Sequence, residues 1–188
     1  HSFPTRRSSD LEMVGVNPEF AHESMAGLNF THQVAQALEA GKLYHIDLND
    51  QEFGRYDQDF RFGSVSYKSA FFLVKLLTDY KYNGPKHFDS HAYRTADRTD
   101  VIAFARGSMR TYKSLEAKAK RFGQDPAVKK LLRTINRTSR KAKDVSTTYS
   151  KSNAAALLGM HFDREKLASK PLPYEALDQK VFDILMGL

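Results

Sequence analysis

Apolar and polar residues alternate along the first half of the chain in a pattern that predicts buried strands separated by helices. Three short apolar segments that end in polar residues are the predicted strands: EMVGVN (12–17), KLYHIDLN (42–49) and PKHFDSHAY (85–93). Between them, FTHQVAQALEAG (30–41) and YKSAFFLVKLLTDYKY (67–82) carry apolar residues at helical spacing. The order strand, helix, strand, helix, strand predicts parallel βαβ units.

The second half of the chain is predicted to be mainly helical. VIAFARGSMRTYKSLEAKAKRF (101–122) forms a third long helix, and Asp125-Pro126 is a typical start for a helix through AVKKLLRTI (127–135). Residues 136–153 are polar and favour an extended or irregular arm, whereas residues 174–188 are again amphipathic and helical.

The predicted strands are too few for a closed α/β domain, because a parallel sheet needs both faces covered. We therefore expect an α/β fold that is the C-terminal part of a barrel, with about its last three strands, followed by a helical arm. The barrel part would comprise residues 12–122 with the functional site, and the arm residues 123–188.

The first eleven residues, HSFPTRRSSDL, differ in character from the rest of the chain. They are too polar for the apolar region of a signal peptide. They can be written back into codons that match a common sequencing-library adapter translated in frame. We expect residues 1–11 to be a non-native leader, with a flexible native terminus as the alternative, so that the native fold would begin near Glu12.

Composition and charge narrow the possible functions. The chain has no cysteine, which excludes disulfide scaffolds and cysteine-ligated zinc and suits a cytoplasmic location. Its apolar runs are shorter than a membrane span requires. The net charge of +7 is concentrated in residues 105–151, which hold 14 Lys and Arg against 3 Asp and Glu.

Acidic residues cluster at the polar ends of the predicted strands. Glu19 and His22 come after the first strand in NPEFAHE. The remaining candidates lie further along the chain, with one near the end of the second strand, two in the next loop and one on the third strand: Asp47, Asp57, Asp59 and Asp89. In a βα barrel the active site is built at the C-terminal ends of the strands.

Converging carboxylates repel one another at neutral pH, and bound cations are the simplest compensation. Oxygen ligands with a single imidazole suit Mg²⁺, Mn²⁺ or Co²⁺. Asp57 and Asp59 would point to the same side of an extended loop and hold one ion. Each of these residues alone is a common helix cap or solvated loop residue, so the hypothesis depends on the whole set.

Three strings of the sequence resemble xylose isomerase of the actinobacterial type, a sugar aldose–ketose isomerase: NPEFAHESMAGLNFTHQVAQALEAGKLYHIDLNDQ, YDQDFRFG and GPKHFD. The similarity runs from about residue 14 to residue 122 and more loosely through the tail. It implies a TIM (β/α)₈ barrel, two divalent metals, a C-terminal arm that embraces a neighbouring subunit, and a homotetramer. The predicted strands would be the sixth, seventh and eighth of that barrel.

The resemblance also implies a role for each candidate residue. Glu19 would bridge the two metals, with Asp47 and Asp89 on the first, structural metal. His22, Asp57 and Asp59 would hold the second, catalytic metal, and Asp59 would also orient its water. The implied reaction is a metal-assisted hydride shift that interconverts D-xylose with D-xylulose and D-glucose with D-fructose, without an organic cofactor.

The chain also departs from the family pattern. A fifth-strand glutamate of the first metal, the ring-opening histidine and aspartate, an active-site lysine and the pocket tryptophans are not among its residues, so we expect the chain to be inactive alone. His91 stands where many relatives have a lysine.

Two alternatives stay open from the sequence. One is a different divalent-metal barrel enzyme, such as another sugar isomerase, an epimerase or an endonuclease. The other is a nucleic-acid-binding module in which the basic segment 105–151 tracks phosphates, although a solvated helical face is the more usual role of such a segment.

Overall fold

The computed structural model describes residues 12–146 and 149–188, and the predicted leader, residues 1–11, lies outside them. The structure is mostly helical with two short parallel strands. In chain order the elements are α1 (Phe20–Met25), α2 (Phe30–Glu39), β1 (Ile46–Asp47), α3 (Tyr67–Asp79), β2 (Lys86–His87), α4 (Arg98–Gln124), α5 (Pro126–Ser146), α6 (Lys151–Leu158), α7 (Arg164–Ala168) and α8 (Tyr174–Met186).

The strands are parallel, as predicted, but much shorter than the predicted segments. β1 pairs with β2 in the register Ile46 to Lys86 and Asp47 to His87. The first predicted strand, residues 12–17, is not a strand, and only isolated parallel bridges join this part of the chain to the second segment. Pro18 supplies a physical reason, because it has no N–H to donate and interrupts the ladder.

The helices of the first half conform to the apolar pattern. α2 ends at Glu39, and Gly41 beyond it has a φ of 64°, the left-handed conformation that favours glycine after a helix. α3 buries an apolar stripe that includes Phe71, Leu73 and Val74, and it packs against α2. Together with the buried apolar side chains in the segment that contains β1, this stripe forms the core of the first half of the chain.

The described residues divide into two compact units, with the boundary in α4 between Lys120 and Arg121. The predicted division into a barrel part ending at residue 122 and an arm beginning at residue 123 stays a prediction. The role predicted for the second unit, oligomerisation, stays a prediction.

The second unit corrects one prediction about the tail. Residues 136–153, expected to be irregular, continue α5 to Ser146 and begin α6 at Lys151, while residues 147–148 lie outside the described part. The reason is local, since Lys, Arg and Ala are good helix formers, and Ala142 and Val145 lie at helical spacing from Ile135.

The predicted helix start and the C-terminal helix are confirmed. Asp125 accepts hydrogen bonds from the backbone N–H groups of Ala127 (2.7 Å) and Val128 (3.0 Å), which caps α5. α8 packs on α5 and buries Val181 and Ile184. Within residues 12–146 and 149–188, no helix combines the length and the apolar character that crossing a bilayer requires.

Candidate metal centre

Glu19 lies between the first predicted strand segment, residues 12–17, and α1, and contacts on both sides fix its position. It is the N-cap residue of α1 and forms a parallel bridge with Asp47. The next residue, Phe20, is buried edge-to-face against Phe30 and Phe62, with ring centroids 5.2 and 5.7 Å away. Burial of this ring fixes the backbone at Glu19 and directs its carboxylate to the polar ends of the strands.

One candidate cluster consists of Glu19, His22 and Asp57, whose ligand atoms lie within 4.8 Å of one another. Nδ1 of His22 is 3.1 Å from Oε2 of Glu19, one helical turn away, and Nε2 is 2.9 Å from Oδ1 of Asp57. Partial burial lowers the pKa of His22, but the hydrogen bond to Asp57 and the surrounding carboxylates raise it above its ordinary value overall.

A second cluster consists of Glu19, Asp47 and Asp89, again with ligand atoms within 4.8 Å of one another. Asn17 donates a hydrogen bond of 2.8 Å to Oδ2 of Asp47. Nδ1 of His45 and of His87 each lies 3.4 Å from Oδ1 of Asp47. That oxygen is buried and has no hydrogen-bond partner among the described residues.

The buried Oδ1 of Asp47 is the observation that tests the fit of a cation. It accepts no hydrogen bond from the described residues, and its nearest basic groups are imidazole nitrogens 3.4 Å away, so its desolvation cost is incompletely offset and a bound cation would offset it. The surrounding donors are mostly carboxylate oxygens, which are the ligands that Mg²⁺ and Mn²⁺ prefer. The residues present therefore fit a divalent cation.

Asp59 makes different contacts from Asp57, and its role as a metal ligand stays a prediction. Its side chain is not part of either cluster of described residues, and its Oδ1 accepts a hydrogen bond of 2.9 Å from Asn49. Asp57 and Asp59 have φ angles of 43° and 48°. The extended loop assumed from their spacing is therefore wrong, because two left-handed residues turn the chain and send the side chains to different partners.

Burial and mutual repulsion raise the pKa of two of the acidic groups, Glu19 and Asp59. Desolvation raises the pKa of Glu19, the charges of Asp59 and Asp89 add to this effect, and hydrogen bonding to Asn49 and the charge of His22 oppose it. Desolvation also raises the pKa of Asp59, with further contributions from the charges of Asp57 and Asp89. Such crowding is typical of a site that a cation completes.

Sequence reasoning missed the polar residues behind the acids. Asn49 bonds to both Glu19 and Asp59, and Asn17 bonds to Asp47. Asn49 could have been found, because it lies two positions after Asp47 and alternate residues of an extended segment share a face. Asn17, His45 and His87 carried the same signal, because each lies two positions before an acid, namely Glu19, Asp47 and Asp89.

Comparison with known proteins adds an independent observation. The chain is 50% identical to xylose isomerase of Thermus caldophilus over 177 residues, 51% identical to that of Thermus thermophilus over 177 residues, and 42% identical to that of Streptomyces lividans over 181 residues. No protein-family model matches the chain.

These alignments cover 94% of the chain but only 46%, 46% and 45% of the respective relatives. The chain is thus a homologue of xylose isomerase and spans about half the length of the relatives it matches.

Proposed function

We propose that this chain is part of a metal-dependent aldose–ketose isomerase that interconverts D-xylose and D-xylulose, and D-glucose and D-fructose. The observation that carries the proposal is the 50% identity with a xylose isomerase over 94% of the chain. The two overlapping acidic clusters support it from the structure. The fold of the intact protein would be a TIM barrel, of which β1, β2 and the bridged segment before them would supply the last three strands.

The six candidate residues would hold two divalent cations, Mg²⁺ or alternatively Mn²⁺ or Co²⁺. Glu19 would contact both, since it is the one residue that the two clusters share. The first cation would be held with Asp47 and Asp89, and the second with His22, Asp57 and Asp59. Such cations supply Lewis-acid polarisation of sugar oxygens and activation of water.

The protein groups have separate tasks in this scheme. Burial of Asp47 keeps water from one carboxylate and leaves its Oδ1 available to a cation. His22 has a carboxylate at each ring nitrogen; to hold a cation it would exchange one of these contacts for the cation, while the other contact would orient the ring. Asp59, which is bonded to Asn49, would hold and orient the water that accepts the proton from the sugar hydroxyl.

The helical unit after Lys120 would contact neighbouring subunits of a homotetramer. Several of its large apolar side chains are exposed on the described chain, including Tyr149 (87%), Leu158 (88%) and Phe162 (54%). Exposed apolar side chains of this size are typical of interaction surfaces.

Turnover of sugar tests the proposal. Residues 12–188 would be joined to the part of the Thermus thermophilus enzyme that they do not match, which gives a chain called here the completed chain. We expect it to form xylulose from xylose with Mg²⁺, to stop when the metal is chelated and to resume when Mg²⁺ is restored. No xylulose from a folded completed chain, under conditions in which the Thermus thermophilus enzyme is active, would refute the proposal.

A further inference from the structure

Asn49 is a fully buried polar side chain behind the acidic residues. It is 0% exposed and lies two residues after β1. Its Oδ1 accepts a hydrogen bond of 2.8 Å from the backbone N–H of Ala21 in α1. Because a backbone N–H can only donate, this bond fixes which end of the amide is oxygen and turns the NH₂ group the other way.

The NH₂ group of Asn49 joins two acidic side chains from different segments. It donates one hydrogen bond of 2.6 Å to Oε1 of Glu19 and one of 2.9 Å to Oδ1 of Asp59. An amide nitrogen carries two hydrogens, so both are used. One oxygen of each carboxylate is thereby occupied by the amide, which leaves Oε2 of Glu19 and Oδ2 of Asp59 to other partners.

The two bonds counter a repulsion that the fold would otherwise leave in place. Glu19 and Asp59 are both partly buried carboxylates that accept from the same amide, and their negative charges repel each other. Asn49 is a neutral donor between them and adds no charge that would compete with a cation. It also connects the loop that carries Asp59 to α1 through Ala21.

We propose that Asn49 is a positioning residue that holds Asp59 beside Glu19, so that the two carboxylates present their remaining oxygens to the second of the two cations. This inference rests on the proposed function. It predicts that the second cation depends on Asn49 more than the first does, because Asp59 belongs only to the second set of ligands.

The test is a Mn²⁺ titration of the completed chain, followed by the electron paramagnetic resonance signal of free Mn²⁺. We expect unmodified protein to bind two Mn²⁺ per chain. Asn49→Ala should weaken the second site by about tenfold to a hundredfold, the usual effect of removing a group that orients a ligand, and the first site by less. Asn49→Ser keeps one hydroxyl donor, so its Mn²⁺ affinity at the second site should lie between those of the unmodified protein and Asn49→Ala. If the alanine variant does not fold, the serine variant tests the role of Asn49.

A control and a double-variant cycle separate positioning from general destabilisation. Asn29→Ala removes the helix-cap hydrogen bond that Asn29 accepts from the N–H of His32. This bond involves no acidic residue, so both Mn²⁺ affinities should be unchanged. Asn49→Ala combined with Asp59→Asn should weaken the second site by less than the product of the two single effects.

The possible outcomes distinguish a failure of the proposed role of Asn49 from a failure of the proposed isomerase function. Unmodified completed chain that binds no Mn²⁺ would overturn both. Two bound Mn²⁺ with unchanged affinities in Asn49→Ala and Asn49→Ser would overturn the role of Asn49 alone. Equal losses at the two sites, or effects that multiply fully with Asp59→Asn, would also overturn it, because Asn49 would then not act through Asp59.

Discussion

Replacing Asp50 by alanine should loosen the loop that carries Asp57 and Asp59. Asp50 is 0% exposed. Its Oδ1 accepts from the N–H of Gln51, and its Oδ2 accepts from the N–H groups of Val65 and Ser66, all at 2.9 Å. One carboxylate therefore closes the loop between β1 and α3 at both ends.

The magnitude depends on the bonds that would be lost. Hydrogen bonds to a charged group contribute about 1.5–3 kcal/mol each, and three backbone donors lose their acceptor in Asp50→Ala. Two effects offset this loss. The donors at Val65 and Ser66 are only part-buried and can reach water, and desolvation already raises the pKa of Asp50, so removing the carboxylate relieves a burial cost. We expect a net loss of about 3 kcal/mol in the local opening free energy.

Two further variants set the scale. Asp50→Asn can turn its oxygen to Val65 and Ser66 and leave only the N–H of Gln51 without an acceptor, so its cost should be about 1–2 kcal/mol. Asp79→Ala is the matched control, because it also removes an aspartate. Asp79 is exposed, and its ion pair is with Lys75, one turn earlier in the same helix. Such a pair contributes about 0.3–0.5 kcal/mol.

Hydrogen exchange of the completed chain, read by mass spectrometry on peptides from residues 50–66, measures this opening directly. A loss of about 3 kcal/mol corresponds to roughly 150-fold faster exchange at the three amides in Asp50→Ala. Peptides from α2 serve as an internal reference and should be unchanged. Exchange within about threefold of the unmodified protein would refute the reasoning, and so would an equal acceleration in α2, which would indicate global destabilisation.

Three further predictions concern activity and stability. Asp59→Asn in the completed chain should weaken Mn²⁺ at the second site and reduce turnover by about tenfold or more, because this residue supports activation of water. Sugar binding should survive better, and steady-state kinetics with unchanged turnover and two bound Mn²⁺ would show that Asp59 is not a functional ligand. The 188-residue chain by itself, assayed with xylose and Mg²⁺, should form no xylulose above the blank, since it spans about half of its relatives; clear turnover would contradict this. The same chain should be marginally stable or aggregate, because Met13, Val14 and Val16 are exposed (86%, 47% and 46%) beside a short sheet. A sharp, reversible, monomeric unfolding transition would count against this expectation.

The helices were predictable from the sequence because their signals are local. The apolar stripe of α3, Gly41 after α2 and the cap at Asp125 each depend on a few neighbouring residues. The extension of α5 to Ser146 was missed because polar residues dominate the segment, although Ala142 and Val145 continue the helical spacing of Ile135.

Strand lengths were overestimated for a non-local reason. An apolar segment shows that a strand is buried, but the length of regular pairing depends on its partner. Val16 and Glu19 each form only an isolated bridge, and Pro18 between them cannot donate.

The sequence predicted which acidic residues would lie near one another, but not how their side chains would be arranged. The acids at strand ends do meet, as parallel strands require, in two clusters that share Glu19. The separation of Asp57 from Asp59 was not accessible, because it depends on left-handed backbone angles at two aspartates. Their role as metal ligands stays a prediction.

The most direct test of the two-metal centre is an anomalous-scattering map of the completed chain crystallised with Mn²⁺. We predict two peaks, one among Glu19, Asp47 and Asp89 and the other among Glu19, His22, Asp57 and Asp59, with Glu19 contacting both. A map in which fully occupied Mn²⁺ lies away from Glu19, or in which neither cluster holds Mn²⁺ at saturating concentration, would contradict the account.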